Sequence, residues 1–169
     1  RYNIAHINQE GIPTNWKPVV NDYVKTMALL NDTLFIGGQF TFVNGQSRNA
    51  FAMLNKNMDT LLPSIAANNT LQPGTLINTF KLVDSILYVG GKYNIYNTVG
   101  SAFKIFTKTG GASNLPTLFQ MEEVFSIDVT QGKTRVFIGG DAGGGPATSN
   151  GSEWTQALLV IPGKVGFMK

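Results

Sequence analysis

The chain has 169 residues, no cysteine and one histidine, and its 13 basic and 10 acidic side chains leave a net charge of +3. Disulfides and zinc–thiolate sites are thereby excluded, and a histidine-rich metal site cannot be built. The basic residues are scattered, and no apolar run reaches the eighteen residues that cross a bilayer, so neither nucleic-acid binding nor membrane insertion is expected.

In chain order, Arg1 to Ile7 reads as a strand, followed by a polar turn over Asn8 to Gly11 and then Trp16-Lys17-Pro18. Met27 to Leu30, the turn Asn31-Asp32, and Leu34-Phe35-Ile36-Gly37-Gly38 form a strand, a hairpin turn and a second strand. Arg48 to Leu54 is a third strand, closed by a polar turn over Asn55 to Asp59 and by Leu62-Pro63. The set then recurs. Phe80 to Val83, Asp84-Ser85 and Leu87-Tyr88-Val89-Gly90-Gly91 lead to Gly100 to Phe106, a turn over Thr107 to Gly111 and Leu115-Pro116. A third copy runs from Phe125 to Val129 through the turn Thr130 to Lys133 into Val136-Phe137-Ile138-Gly139-Gly140. Trp154 to Val160, with Pro162-Gly163, is its degenerate end, and Arg1 to Pro18 repeats the second half of the unit.

The glycine pairs stand 53 and 49 residues apart. Short apolar strands at a period of about 40 to 50 residues are the pattern of β-propeller blades. The expected fold is therefore all-β, with four-stranded antiparallel blades at 1–18 (half), 19–63, 77–116 and 124–169 (degenerate). A propeller of four to eight such blades needs roughly 200 to 400 residues. The 169 residues are accordingly expected to be one segment of a partial propeller within a longer polypeptide, its neighbours further repeats or partner chains. Three apolar residues before each pair imply cover on both faces. The glycines themselves allow positive φ, a bulge or close backbone approach. They do not form a phosphate cradle, because no pair opens a helix or meets Gly-Lys-Ser/Thr.

The run from Leu34 to Asn49, Gly-Gly-Gln-Phe-Thr-Phe-Val-Asn-Gly-Gln-Ser-Arg-Asn at its heart, resembles the repeat of the delta-60, or domain of unknown function 5122, β-propellers. The second repeat keeps Gly90, Gly91, Tyr93 and Asn97 but lacks the Asn-Gly and Arg-Asn pairs, and the third keeps little beyond Gly139-Gly140. The resemblance implies a secreted or surface-exposed repeat protein and supplies no shared catalytic residue.

No catalytic constellation is legible. His6 lacks a partner cysteine, and no Gly-x-Ser-x-Gly elbow exists for a serine triad. Glu122-Glu123, the only adjacent acidic pair, would point to opposite sides if extended and reads as a solvated loop rather than a glycosidase pair. Asp141, Asn150 and Glu153 flank a glycine-rich loop but match no calcium-loop spacing. Asn31, Asn68 and Asn150 open Asn-x-Ser/Thr acceptors, used only where the host compartment glycosylates. No cofactor, metal or catalytic residue is assigned.

Phe35, Phe51, Phe80, Tyr88, Phe103 and Phe137 recur at equivalent repeat positions and read as core. Trp16, Phe42, Tyr93, Tyr96 and Trp154 fall at strand ends or loops and, with Asp141, form the candidate binding surface; both tryptophans also suit burial between blades. The insertions 64–76 and 141–153 are the expected variable face. The expected function is non-enzymatic: a secreted or cell-surface scaffold or adhesin segment whose loops engage glycan or protein. The alternatives are part of a carbohydrate-active propeller enzyme whose active centre lies outside this chain, and a structural spacer or exported passenger.

Overall fold

The computed structural model describes residues 3–65, 71–95, 98–114, 123–132, 135–141, 158–161 and 164–166. Among them the protein is all-β, with no helix. Strands β1 (Val24–Leu30), β2 (Thr33–Gly38) and β5 (Phe51–Asn55) form a first antiparallel sheet, with the short hairpin β3 (Phe42–Val43) and β4 (Gln46–Ser47) inserted between its second and third strands. A second sheet takes β6 (Leu76–Val83), β7 (Ile86–Ile95), β8 (Thr98–Phe106) and β9 (Ala112–Asn114) in chain order. A third takes β10 (Glu123–Val129), β11 (Val136–Asp141), β12 (Leu158–Ile161) and β13 (Lys164–Gly166) in the same order. The second and third sheets have four strands as expected. The first has three, and its expected outer strand is reduced to a single bridge between Leu54 and Leu61. None of the sheets closes on itself.

The sheets stack in sequence. β6 packs on β1 and β2, and β10 packs on β6, β7 and β8. Because side chains alternate across a strand, each sheet buries two different sets of residues. Phe35 and Phe51 of the first sheet meet Ile77, Leu87, Val89, Phe103 and Ile105 of the second. Tyr88 and Ala102 on the second sheet's other face meet Val124, Ile127, Val129, Val136 and Ile138 of the third. The far face of the first sheet, Ile36, Ala52 and Leu54, is covered by Ile4, Trp16 and Val20 of the N-terminal segment. Each buried Leu, Ile or Phe removes apolar area worth about 1.5–3 kcal/mol.

The glycine pairs divide two tasks between them. The first glycine of the first two pairs faces the next sheet. A Cβ at Gly37 would lie 2.6 Å from both Ile77 Cγ2 and Phe80 Cζ, and one at Gly90 would lie 2.5 Å from Val124 Cγ1. The second glycine faces a backbone carbonyl: a Cβ at Gly38, Gly91 or Gly140 would collide with the carbonyl oxygen of Tyr23, Leu76 or Glu123. Each of those carbonyls sits at a β-bulge, where the register slips between Val24 and Thr26, Ile77 and Thr79, and Val124 and Ser126. Positive φ is not the reason for these glycines; it occurs instead at Gly11, Gly45, Gly74 and Gly110. Asn31 and Asp84, which open the two-residue turns, do adopt the left-handed region at φ 53°.

Two of the bulged residues, Lys25 and Asn78, start a hydrogen-bonded chain across the stack. Lys25 Nζ donates to Asn78 Oδ1 at 3.2 Å, and Asn78 Nδ2 donates to Glu123 Oε1 at 2.8 Å and to the Val124 carbonyl at 3.0 Å. Glu123 therefore starts a strand and joins two sheets, which corrects the solvated-loop expectation for it; Glu122 lies outside the described residues. Further along the same two strands, Lys81 pairs with Asp128 at 2.7 Å. The Lys81 ammonium, with help from the Val129 N–H, holds the Asp128 carboxyl below its ordinary value of 3.8. A depressed carboxylate pKa favours the fold above the unfolded value, and this contribution is lost as pH falls through the folded one. NMR titration of Asp128 is expected to give a midpoint under 3.8, and Lys81→Met is expected to move it upward.

Candidate functional site

Phe42, Tyr93 and Asp141 all fall at one end of the stack, where the second strand of each sheet leaves its glycine pair. The structure treats them differently. Phe42 stands out in the β3–β4 hairpin, 49% exposed. Asp141 is exposed at the end of β11, opposite Glu123. Tyr93 is not a surface residue. Its ring is buried in the core between the first two sheets, edge-on to Phe103 at 5.0 Å, and burial pushes its phenol pKa up. Tyr96 and Trp154 lie outside the described residues, as do Asn150 and Glu153.

Trp16 sits at the opposite end, and it too is buried. Its Nε1–H donates to the Asn55 carbonyl at 3.0 Å, and its ring packs against the first sheet. Of the two readings open to it, packing between layers is the one the structure supports. His6 lies edge-on to Trp16, and its Nδ1 is 3.0 Å from Thr14 Oγ1, an exposed contact with no carboxylate in it. The insertion 64–76 is only partly a surface loop. Leu71 is buried in the core, its carbonyl receives the Asn49 side-chain N–H at 2.9 Å, and Leu76 already belongs to β6.

The hairpin bearing Phe42 is locally rigid for reasons visible in its hydrogen bonds. Asn44 and Gly45 both hold positive φ, 49° and 76°, the backbone a two-residue I′ turn requires. Asn21 clamps the strand: its Oδ1 accepts from the N–H groups of Thr41 and Phe42, each at 2.9 Å, and its Nδ2 donates to Thr41 Oγ1 at 3.0 Å. Asn44 returns the contact, with Oδ1 accepting from Val19 N–H at 2.7 Å and N–H donating to the Val19 carbonyl at 2.8 Å. The segment held against the hairpin carries two more exposed apolar residues, Val19 at 61% and Tyr23 at 66%. Sequence reasoning missed both because neither belongs to a repeated strand. The available signal was Tyr23 itself, an aromatic immediately before an alternating strand.

Two grooves flank the first sheet at its turn end. One of about 610 Å³ lies between the first two sheets, lined by Leu30, Phe35, Met53 and Ile65 and by the turn residues Asp84 and Thr107. The other, about 380 Å³, lies on the first sheet's opposite face, between the N-terminal segment and Met27, Leu29 and Leu34. Among the described residues no three His, Cys, Asp or Glu side chains converge on a metal-sized site. Compared with protein-family models, curated proteins and solved structures, the chain matches none of them.

Proposed function

We propose that this chain is a non-enzymatic interaction or scaffold module built of β-propeller blades, acting outside the cell or at its surface. The observation that carries this reading is the rigid display of Phe42, Tyr23 and Val19. Large apolar side chains exposed on a hydrogen-bonded hairpin keep little conformational entropy to lose, and aromatic residues of this kind anchor recognition surfaces. Support for the blade architecture comes from sheets with strands in chain order and with a bulge and glycine pair at the same place in each. The resemblance of Leu34 to Asn49 to the delta-60 repeat points the same way. The stack supplies a stiff base, and the β3–β4 hairpin carries the contacts together with the segment clamped against it, which bears Val19 and Tyr23.

Binding of the chain to immobilised glycans and to extracellular proteins tests the proposal. Phe42→Ala and Tyr23→Ala are each expected to weaken binding roughly tenfold or more while leaving the melting temperature in place, since hot-spot truncation at an exposed aromatic acts on binding. Unchanged binding in both variants sinks this surface as the site. Release of sugar from a bound glycan would favour the carbohydrate-active enzyme instead.

A further inference from the structure

The sequence holds two Asn-Gly steps, Asn44-Gly45 and Asn150-Gly151, and the first is the turn of the clamped β3–β4 hairpin. Asn-Gly is the step most prone to lose ammonia unaided, because glycine has no side chain to shield its nitrogen from the asparagine amide carbon. Gly45 is exposed, and no atom lies within 4 Å of where a Cβ would stand on it. The Asn44 amide, however, is in use. Its Oδ1 accepts from the Val19 N–H at 2.7 Å, and its Nδ2 donates to the Asp59 carbonyl at 2.7 Å. A donor facing one end and an acceptor facing the other fix the orientation of the amide. One exposed side chain thus ties the hairpin to the stretches around Val19 and Asp59.

Ring closure and this clasp exclude each other. To bond the Gly45 nitrogen, Asn44 Cγ has to swing back over its own main chain, and Oδ1 and Nδ2 move with it, away from Val19 and Asp59. The reaction therefore runs only from an opened hairpin, at the free-chain rate scaled by the fraction of time the hairpin is open. The products do not restore the clasp. In isoaspartate Cγ has become main chain, so the turn is one methylene longer and the amide that bridged Val19 and Asp59 is gone. In aspartate an oxygen stands in place of Nδ2 and meets the Asp59 carbonyl as acceptor against acceptor.

We propose that Asn44 is a self-modification site, a one-way latch whose deamidation unfastens the hairpin that displays Phe42. The Gly45 nitrogen gives up its proton and bonds Asn44 Cγ, the Cγ–Nδ2 bond breaks, and ammonia leaves. Water then opens the cyclic imide. Attack at the main-chain carbonyl gives isoaspartate, and attack at Cγ gives aspartate; water is the only co-reactant. A partner seated on Phe42, Tyr23 and Val19 holds the latch shut. That last consequence alone rests on the function proposed above, and the chemistry at Asn44 does not.

The test holds the whole chain and a synthetic peptide of the sequence Phe40 to Asn49 in mildly alkaline buffer. Mass spectrometry with peptide mapping follows conversion at Asn44 separately from Asn150. Asn44 is expected to convert at least tenfold more slowly in the protein than in the peptide. Asn21→Ala, which removes the clamp on Thr41 and Phe42 without touching Asn44, is expected to recover most of that difference. Asn21 is exposed, so the variant should keep the wild-type circular dichroism. A second measurement needs no variant: in the isoaspartyl fraction of aged protein, the Val19 amide hydrogen is expected to exchange at least tenfold faster than in unconverted protein. Conversion as fast as in the peptide overturns the proposal, as does a rate indifferent to Asn21→Ala or unchanged exchange at Val19. None of these readouts involves a partner, so the latch and the Phe42 binding surface stand or fall separately.

Discussion

Gly91→Ala is expected to cost the fold about 3 kcal/mol or more, the upper end of the usual cost of overpacking. The added methyl would overlap the Leu76 carbonyl oxygen and approach Ile77 Cα at 2.9 Å. Both are backbone atoms, so no rotamer change relieves the clash. The β6 bulge must be lost or β6 must shift, and Asn78 would move with it, breaking its bonds to Glu123 and Val124. Gly139→Ala makes the informative comparison. Its methyl would meet only the Ser126 hydroxyl among the described residues, at 2.6 Å, and that hydroxyl can rotate away. The cost expected there is under about 1 kcal/mol. Chemical denaturation of the two variants beside wild type checks the pair; a Gly91→Ala loss no larger than that of Gly139→Ala would refute the assignment of the second glycine to the bulge.

Phe51→Ala should destabilise by about 3–5 kcal/mol, the usual cost of truncating a fully buried aromatic. Phe51 is wholly buried at the first junction, stacked on Phe35 at 6.2 Å and edge-on to Phe80 at 6.0 Å between ring centres. Removing it leaves a cavity faced by two rigid sheets, neither of which can collapse into it alone. Thermal unfolding followed by circular dichroism measures the loss. Phe42→Ala is the control in the same experiment, since an exposed ring contributes little to the fold. A Phe51→Ala melt matching that control would mean that the first two sheets do not depend on this contact.

The junctions also show where alignment by eye fails. Aligning Arg48 to Leu54 with Gly100 to Phe106 makes Phe51 the equivalent of Phe103. The strand registers place Phe51 opposite Gly37 but Ala102 opposite Gly90, so Phe51 matches Ala102 and Phe103 matches Ala52. Both phenylalanines still enter the same core, from opposite sheets. A one-residue slip reverses the face of every side chain, and composition is indifferent to it. Phe80 likewise answers to Met27 and Ile127, not to another aromatic.

Among the candidate site residues, Phe42 and Asp141 were legible as exposed positions because both sit just past a glycine pair, where the regular strand pattern ends. Tyr93 was misplaced for the same reason. β7 continues through Ile95, beyond its glycines, and carries the ring back into the core. Val19 and Tyr23 were missed because the hairpin they lie against, clamped by Asn21, is about 20 residues away in sequence.

What the sequence by itself determined is local and periodic: strands of alternating or continuous apolar character, turns opened by Asn31 and Asp84, and one glycine pair per unit. Those follow from backbone geometry and from the burial pattern of single strands, which neighbouring residues encode. Only the tertiary structure decided which face each strand presents and why two glycines are needed. These depend on contacts between units about 50 residues apart. There a methyl group meets either a carbonyl oxygen or open space, and no local pattern records the difference.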